Sequence, residues 1–179
     1  LDTDPLTLMV SFTKGLDSLG VEESYAFCVG SDFSSTMSAL PLLDPTVIIT
    51  VPSILERCFE ALRHSYQGAS SPSLKKIVYV GEPLPAGLRS SLESAFGVEV
   101  FGYYGSSETS ALGIECGRHD GIHLFTDRNV IEMVADGDDD LTGEIVVTTL
   151  RQRTLPLLRY ALGDVIALRP GDCGCGLSF

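Results

Sequence analysis

The sequence predicts an α/β fold in which a parallel sheet with crossover helices precedes a small antiparallel β meander or barrel-like subdomain. Two observations lead to this prediction. Apolar runs alternate with amphipathic or turn-rich segments up to about residue 112, as in parallel strands joined by helices. Later strands are short and separated by Gly, Asp and Asn, as in a meander. We therefore expect an α/β unit over residues 1–112 and an antiparallel β unit over residues 113–179.

Each predicted element has a local signal. The strands of the first unit are predicted at 6–12, 24–30, 46–50, 76–81 and 98–104. A helix is expected to begin at Pro52 and Ser53, because apolar side chains from Ile54 to Leu62 then fall on one face. A second helix is expected from about Pro85 to Phe96, with Leu88, Leu92, Ala95 and Phe96 inward and Gly97 at its end. The strands of the second unit are predicted at 121–127, 129–135, 142–150 and 164–170.

The net charge, the length of the apolar runs and the number of cysteines limit the kinds of function that this chain can have. The chain has 12 Lys plus Arg and 24 Asp plus Glu, a formal net charge of −12, which argues against nucleic acid or an anionic membrane as partner. Its apolar runs fall short of the roughly 20 residues that cross a bilayer, and its five cysteines, an odd number, favour reduced thiols or a metal site. We expect a cytoplasmic protein. Because the chain begins with Leu, we also expect it to be a piece of a longer polypeptide.

Two polar segments follow predicted parallel strands, at the edge where open α/β sheets bind ligands. Gly81, Glu82 and Pro83 follow the strand at 76–81, although an ordinary βα turn has the same composition. The segment 105–109 reads Gly-Ser-Ser-Glu-Thr, and its hydroxyls and single carboxylate suit phosphate oxygens and a divalent cation. A serine-rich turn without a ligand remains an alternative. A hydrolase nucleophile elbow fits less well, because Thr109 stands where that motif has glycine.

Four motifs carry a family resemblance. VGEPLP, YYGSSET, GEIVVTTL and LPLLRYALGD occur in this order, and together they resemble the adenylate-forming superfamily, in particular its phenylacetate-CoA ligase family. The resemblance implies an enzyme that uses ATP to convert a carboxylic acid, with an aryl acid as the family-level expectation, into an acyl-adenylate and then transfers the acyl group to coenzyme A. The acceptor and the oligomeric state, including a homodimer, are left open.

The resemblance also implies roles for individual residues. Gly81, Glu82 and Pro83 match the loop that contacts adenine, and Tyr104 matches an aromatic residue between adenine and the acyl pocket. Two further matches are Ser107, with the hydroxyl residue at the α-phosphate, and Glu108, with the carboxylate associated with Mg²⁺. Asp164 matches the aspartate that accepts hydrogen bonds from the ribose hydroxyls.

Two parts of the family pattern are not found in these 179 residues: the Gly/Ser/Thr-rich phosphate loop, and the C-terminal lid domain with its catalytic lysine. We therefore expect activity from a longer parent and none from the isolated chain. The alternative is a noncatalytic module, either a degenerate adenylate-binding domain or a scaffold.

Cysteine and histidine residues at two places predict a metal site. Cys116 and His123 flank one turn, and Cys173 and Cys175 lie in another, giving a Cys₃His set suited to structural zinc. His119 is an alternative to His123. Comparable positions occur in relatives of the phenylacetate-CoA ligase family, although incidental cysteines are an open alternative.

Overall fold

The computed structural model describes residues 14–24, 33–65, 73–135, 141–169 and 171–177. Residues 14–18 form a helical turn. The longer elements are α1 (Phe33–Leu43), β1 (Val47–Thr50), α2 (Pro52–Ser65), β2 (Lys76–Val80), α3 (Leu88–Phe96), β3 (Glu99–Ser106), β4 (Ser110–Glu115), β5 (Ile122–Leu124), β6 (Asn129–Ala135), β7 (Thr142–Thr149) and β8 (Tyr160–Ala167). Within these ranges every helix is too short or too polar to cross a bilayer.

The first sheet has five strands in the order β1-β2-β3-β4-β5. Strands β1, β2 and β3 are parallel, and helices α2 and α3 make the crossovers between them. Strands β4 and β5 then add to the sheet in antiparallel pairing. The predicted α/β class is confirmed.

Helices α2 and α3 cover this sheet with an apolar core. Its most buried members are Leu55, Ile77, Leu92 and Val100, each at most 1% exposed. Burial of one such side chain contributes about 1.5–3 kcal/mol to folding. Helix α3 begins at Leu88 rather than Pro85, and at its end Gly97 takes the left-handed conformation and donates to the Glu93 carbonyl at 2.9 Å.

The burial pattern bears out most of the predicted inward residues. Leu88 and Leu92 are buried and Phe96 is half-buried, but Ala95 is exposed, so its predicted inward position is wrong. Cys58 is 4% exposed and packs in a second apolar cluster with Met37 and Leu62.

The second sheet has three antiparallel strands in the order β6-β7-β8. A third apolar cluster lies between the sheets, because Leu112 of β4 packs with Ile145 and Val147 of β7, all fully buried. Tyr104 of β3 and Leu162 of β8 pack against the same cluster. This core therefore holds the ends of β3 and β8 close together.

The predicted division at residues 112 and 113 falls inside β4 (Ser110–Glu115). The chain reverses at residues 107–109, so β4 and β5 extend the first sheet, and the second sheet begins only at Asn129. The division into two domains remains a prediction. Helix α1 was not predicted; a proline, Pro41, lies within it. The predicted strands at 6–12 and 24–30 lie outside the described residues, apart from Ser24.

Candidate functional site

The Gly81–Pro83 loop lies at the end of β2 and is exposed. Gly81 has φ 82, a left-handed conformation that favours glycine. Glu82 accepts hydrogen bonds from the N–H and from the hydroxyl of Ser53, both at 3.0 Å. Ser53 is the second residue of α2, so the Glu82 carboxylate stabilises the positive end of that helix and fixes the loop to it.

Tyr104 lies beside this loop. Strands β2 and β3 pair in parallel with Val80 opposite Tyr103, so the residues that follow, Gly81 and Tyr104, reach the same edge of the sheet. A bulge follows Tyr104, and a Cβ on Gly105 would collide with the carbonyl oxygen of Ser110. Glycine at position 105 therefore permits the close approach of β3 and β4 that directs the chain into the next turn.

The turn that follows carries the remaining candidates from this strand. The hydroxyls of Ser106 and Thr109 lie 2.9 Å apart, and the Thr109 N–H donates to the Ser106 hydroxyl at 3.2 Å. These two residues hold the turn in shape. Ser107 is exposed and Glu108 is half-buried, and neither side chain hydrogen bonds to another side chain in the described part of the structure. Both remain accessible to a ligand.

Tyr104 and Asp164 connect the two sheets. The Tyr104 hydroxyl donates to Oδ2 of Asp164 at 2.7 Å, across 60 residues of sequence. Burial, followed by the hydrogen bond to Asp164 and its charge, raises the pKa of Tyr104 above its usual range. The Tyr104 hydroxyl therefore stays protonated at neutral pH and donates a hydrogen bond to an exposed carboxylate. The other oxygen of that carboxylate has no hydrogen-bond partner among the described residues and can accept from a ligand.

The four predicted metal ligands converge. One donor atom from each of Cys116, His123, Cys173 and Cys175 lies within 4.8 Å of the other three. The sulfurs of Cys116 and Cys173 are 3.7 Å apart, and His123 Nε2 is 3.5 Å from the sulfur of Cys175. Tetrahedral zinc with ordinary bond lengths separates two sulfurs by about 3.8 Å and a sulfur from a nitrogen by about 3.6 Å. The donor set therefore fits zinc in identity and spacing.

Backbone N–H groups donate hydrogen bonds to two of the cysteine sulfurs. The Arg118 N–H donates to the Cys116 sulfur and the Leu177 N–H to the Cys175 sulfur, both at 3.4 Å. The Arg118 bond is the main reason why the pKa of Cys116 is lowered to about 7, whereas burial is the main reason why that of Cys173 is raised to about 11. The left-handed glycines beside Cys175, at positions 174 and 176, allow the tight Cys-Gly-Cys turn.

His119 does not join this group. Its Nδ1 lies 2.9 Å from an Arg89 nitrogen and 3.5 Å from the carboxylate of Glu115. The geometry therefore favours His123 of the two histidines as the ligand.

An ion pair beside the cysteines, between a partly exposed arginine and a buried glutamate, was not predicted from the sequence. Arg89 of α3 donates two hydrogen bonds to Glu115, at 2.8 and 2.9 Å, and the Gly102 N–H donates to the same carboxylate at 2.7 Å. Arg89 also donates to the Val100 carbonyl. The pair thus supplies hydrogen-bond partners to backbone groups of β3 that lie beyond its pairing with β4. It also holds in place the residue that precedes Cys116. In the sequence, the signal for this ion pair was the acidic residue at the end of the apolar strand β4.

Comparisons with known proteins agree with the motifs. Residues 27–143 match the AMP-binding enzyme family. A phenylacetate-coenzyme A ligase of Thermus thermophilus is 30% identical over 177 residues, which cover 92% of this chain and 40% of that protein. An indoleacetate–lysine synthetase of Pseudomonas savastanoi is 32% identical over 140 residues, 75% of this chain and 32% of that protein.

A solved structure gives the same fold. A 2-hydroxyisobutyryl-CoA ligase in complex with 2-HIB-AMP and CoA matches 84% of this chain and 34% of its own, with a TM-score of 0.70 and 21% identity. The chain spans about 40% of the length of the phenylacetate-coenzyme A ligase that it matches. From its motifs, its fold and these matches, this chain belongs to the AMP-binding enzyme family.

Proposed function

We propose that this chain forms part of an AMP-forming acid–thiol ligase, which activates a carboxylic acid with ATP and transfers the acyl group to coenzyme A. The observation that carries the proposal is the Tyr104–Asp164 hydrogen bond of 2.7 Å. This bond joins the end of β3 in the first sheet to an aspartate of the second sheet, so that one small ligand could contact both. A noncatalytic adenylate-binding module is the alternative.

In the proposed site, each residue has one task. The backbone of the Gly81–Pro83 loop, held by the Glu82–Ser53 bonds, forms a wall for adenine, and Tyr104 forms the wall towards the acyl group. Asp164 accepts from the ribose hydroxyls with the oxygen that Tyr104 leaves free. Ser107 donates to the α-phosphate. Glu108 would bind Mg²⁺, for which one carboxylate is commonly enough when water and substrate phosphates supply the other ligands.

These tasks support a displacement at phosphorus. A carboxylate oxygen of the acid attacks the α-phosphorus of ATP, the bond from that phosphorus to the bridging oxygen breaks, and pyrophosphate leaves. Bound Mg²⁺ would supply charge neutralisation on the phosphate oxygens. Ser107 and Glu108 act by positioning and by electrostatics, so no protein nucleophile is needed. In the second step, the coenzyme A thiolate attacks the acyl carbon and AMP leaves.

The relatives guide the choice of substrate. Phenylacetate is the proposed acid because a phenylacetate-coenzyme A ligase matches 92% of this chain. Coenzyme A is the proposed acceptor for the same reason, while the indoleacetate–lysine synthetase makes an amine acceptor worth testing in the same assay. A cytoplasmic location is part of the proposal, because ATP, coenzyme A and reduced thiols occur together there.

We also propose that Cys116, His123, Cys173 and Cys175 hold one structural zinc ion. All four ligand positions would be filled by protein, which is typical of structural rather than catalytic zinc. Such a site would join the β4–β5 connection to the segment that follows β8. It would therefore fix the two sheets relative to each other at a second place, in addition to the Tyr104–Asp164 hydrogen bond.

The test is calorimetric titration of the chain with AMP and with Mg·ATP. Asp164→Asn should lower the affinity for both nucleotides by about tenfold, because one acceptor of the ribose hydroxyls loses its charge. Asp17→Asn, at an exposed aspartate of the helical turn at 14–18, is the matched control and should change neither affinity. Equal affinities of Asp164→Asn and wild type would contradict the proposed ribose contact. Nucleotide binding without acid-dependent pyrophosphate release from the longer polypeptide would favour the noncatalytic alternative.

A further inference from the structure

Residues 150–156, in the connection between β7 and β8, form a closed loop. At its base the Thr149 N–H donates to the Leu157 carbonyl at 3.0 Å, and the Leu157 N–H donates to the Thr149 hydroxyl at 2.9 Å. The Leu150 N–H also donates to the Arg128 carbonyl at 2.9 Å. All side chains of this loop are exposed except that of Gln152, which turns inward. A loop with a fixed base thus presents one polar side chain to the rest of the molecule.

Gln152 reaches the turn that carries Ser107 and Glu108. Its amide nitrogen donates to the backbone carbonyl of Glu108 at 2.9 Å, across 44 residues of sequence. The orientation of the amide follows from this contact, because the reverse orientation would place two acceptors against each other. The amide oxygen is shielded from solvent and has no hydrogen-bond partner among the described residues. A buried acceptor of this kind calls for an explanation, and a donor that arrives with a ligand supplies one.

We propose that Gln152 is a positioning residue of the nucleotide site, a role that rests on the proposed function. Its amide nitrogen holds the backbone of Glu108, so that the carboxylate and the neighbouring Ser107 face the metal and phosphates of Mg·ATP. Its buried amide oxygen would be available to a hydrogen-bond donor that arrives with the ligand. Together with the Tyr104–Asp164 bond, Gln152 gives the two sheets a second connection at the ligand, on the phosphate side rather than the ribose side.

The test compares the affinities for Mg·ATP and for adenosine, because adenosine lacks the groups that Ser107 and Glu108 would bind. Gln152→Met removes both hydrogen-bonding functions, and Thr154→Met places the same side chain at an exposed position of the same loop. We expect Gln152→Met to weaken Mg·ATP binding by about fivefold or more and to leave adenosine binding unchanged. Thr154→Met should change neither affinity. A purely structural role would lower both affinities together or only the melting temperature.

A second variant covers the case in which Gln152→Met unfolds. Gln152→Lys keeps a donor for the Glu108 carbonyl, and Thr154→Lys controls for the added charge. Gln152→Lys, compared with Thr154→Lys, should therefore lose less Mg·ATP affinity than Gln152→Met loses compared with Thr154→Met. The decisive quantity is the ratio of the Mg·ATP affinity to the adenosine affinity. If wild type binds Mg·ATP and each Gln152 variant has the same ratio as the matching Thr154 variant, the inference is overturned while the proposed function stands. If wild type binds neither Mg·ATP nor adenosine, both are overturned.

Discussion

Removal of the metal from the Cys₃His site should destabilise the protein measurably. Zinc would cross-link Cys116 to Cys173, which are 57 positions apart in sequence. By the chain-entropy estimate for a cross-link of this length, losing it stabilises the unfolded chain and so lowers the free energy of unfolding by about 4 kcal/mol. For a protein of 179 residues, 1 kcal/mol corresponds to about 2–4 °C in melting temperature. We therefore expect a chelator to lower the melting temperature by about 8–16 °C.

The assay pairs metal analysis with calorimetry. Purified wild type should contain about one zinc ion per chain, and Cys175→Ser should contain much less and melt near the chelated wild type. The two histidines provide a matched pair, because His123→Ala should lose zinc and His119→Ala should retain it. Metal-free wild type with an unchanged melting temperature, or zinc loss from His119→Ala alone, would refute the reasoning.

Three further substitutions address other parts of the structure. In the longer polypeptide, Glu108→Gln should reduce acid-dependent pyrophosphate release by more than about tenfold, and unchanged turnover would remove its proposed role at Mg²⁺. Glu115→Gln should lower the free energy of unfolding in urea by about 3 kcal/mol, because Arg89 loses its buried partner, whereas a loss below about 1 kcal/mol would mean that the pair is dispensable. Glu82→Gln should lower the free energy of unfolding by only about 0.5–1 kcal/mol, because the amide keeps one acceptor for Ser53. A tenfold fall in AMP affinity for Glu82→Gln would show instead that this carboxylate contacts the nucleotide.

The central part of the fold could be predicted because its signals are local. Strands β1, β2 and β3 and helix α2 follow from apolar runs and from the Pro-Ser start of the helix, and each begins or ends within about two residues of its predicted bounds. The predicted boundary at residue 112 lay inside β4 because the change in composition there marks the change from parallel to antiparallel strands, whereas β4 and β5 still belong to the first sheet. The pairing of β4 with β3 depends on contacts across the turn at 107–109, which periodicity does not report.

The candidate site shows the same distinction. Gly81, Ser107 and Glu108 were identified from short motifs at strand ends. The partner of Glu82 is 29 residues away and that of Arg89 is 26 residues away, so neither pair is visible in a local sequence window. The choice between His119 and His123 also required coordinates, because both lie close to Cys116 in sequence and only the fold directs His123 towards Cys175.

The central claim is that the ends of β2 and β3 and the aspartate of β8 face one nucleotide. Titration of isotopically labelled protein with AMP, followed by amide chemical shifts in nuclear magnetic resonance spectra, tests it most directly. We expect the amide signals of Gly81, Tyr104 and Asp164 to shift together with a single dissociation constant, while the amide signal of Asp17, an exposed residue of the helical turn at 14–18, stays in place. Shifts confined to one of the three positions, or three unrelated dissociation constants, would contradict the claim.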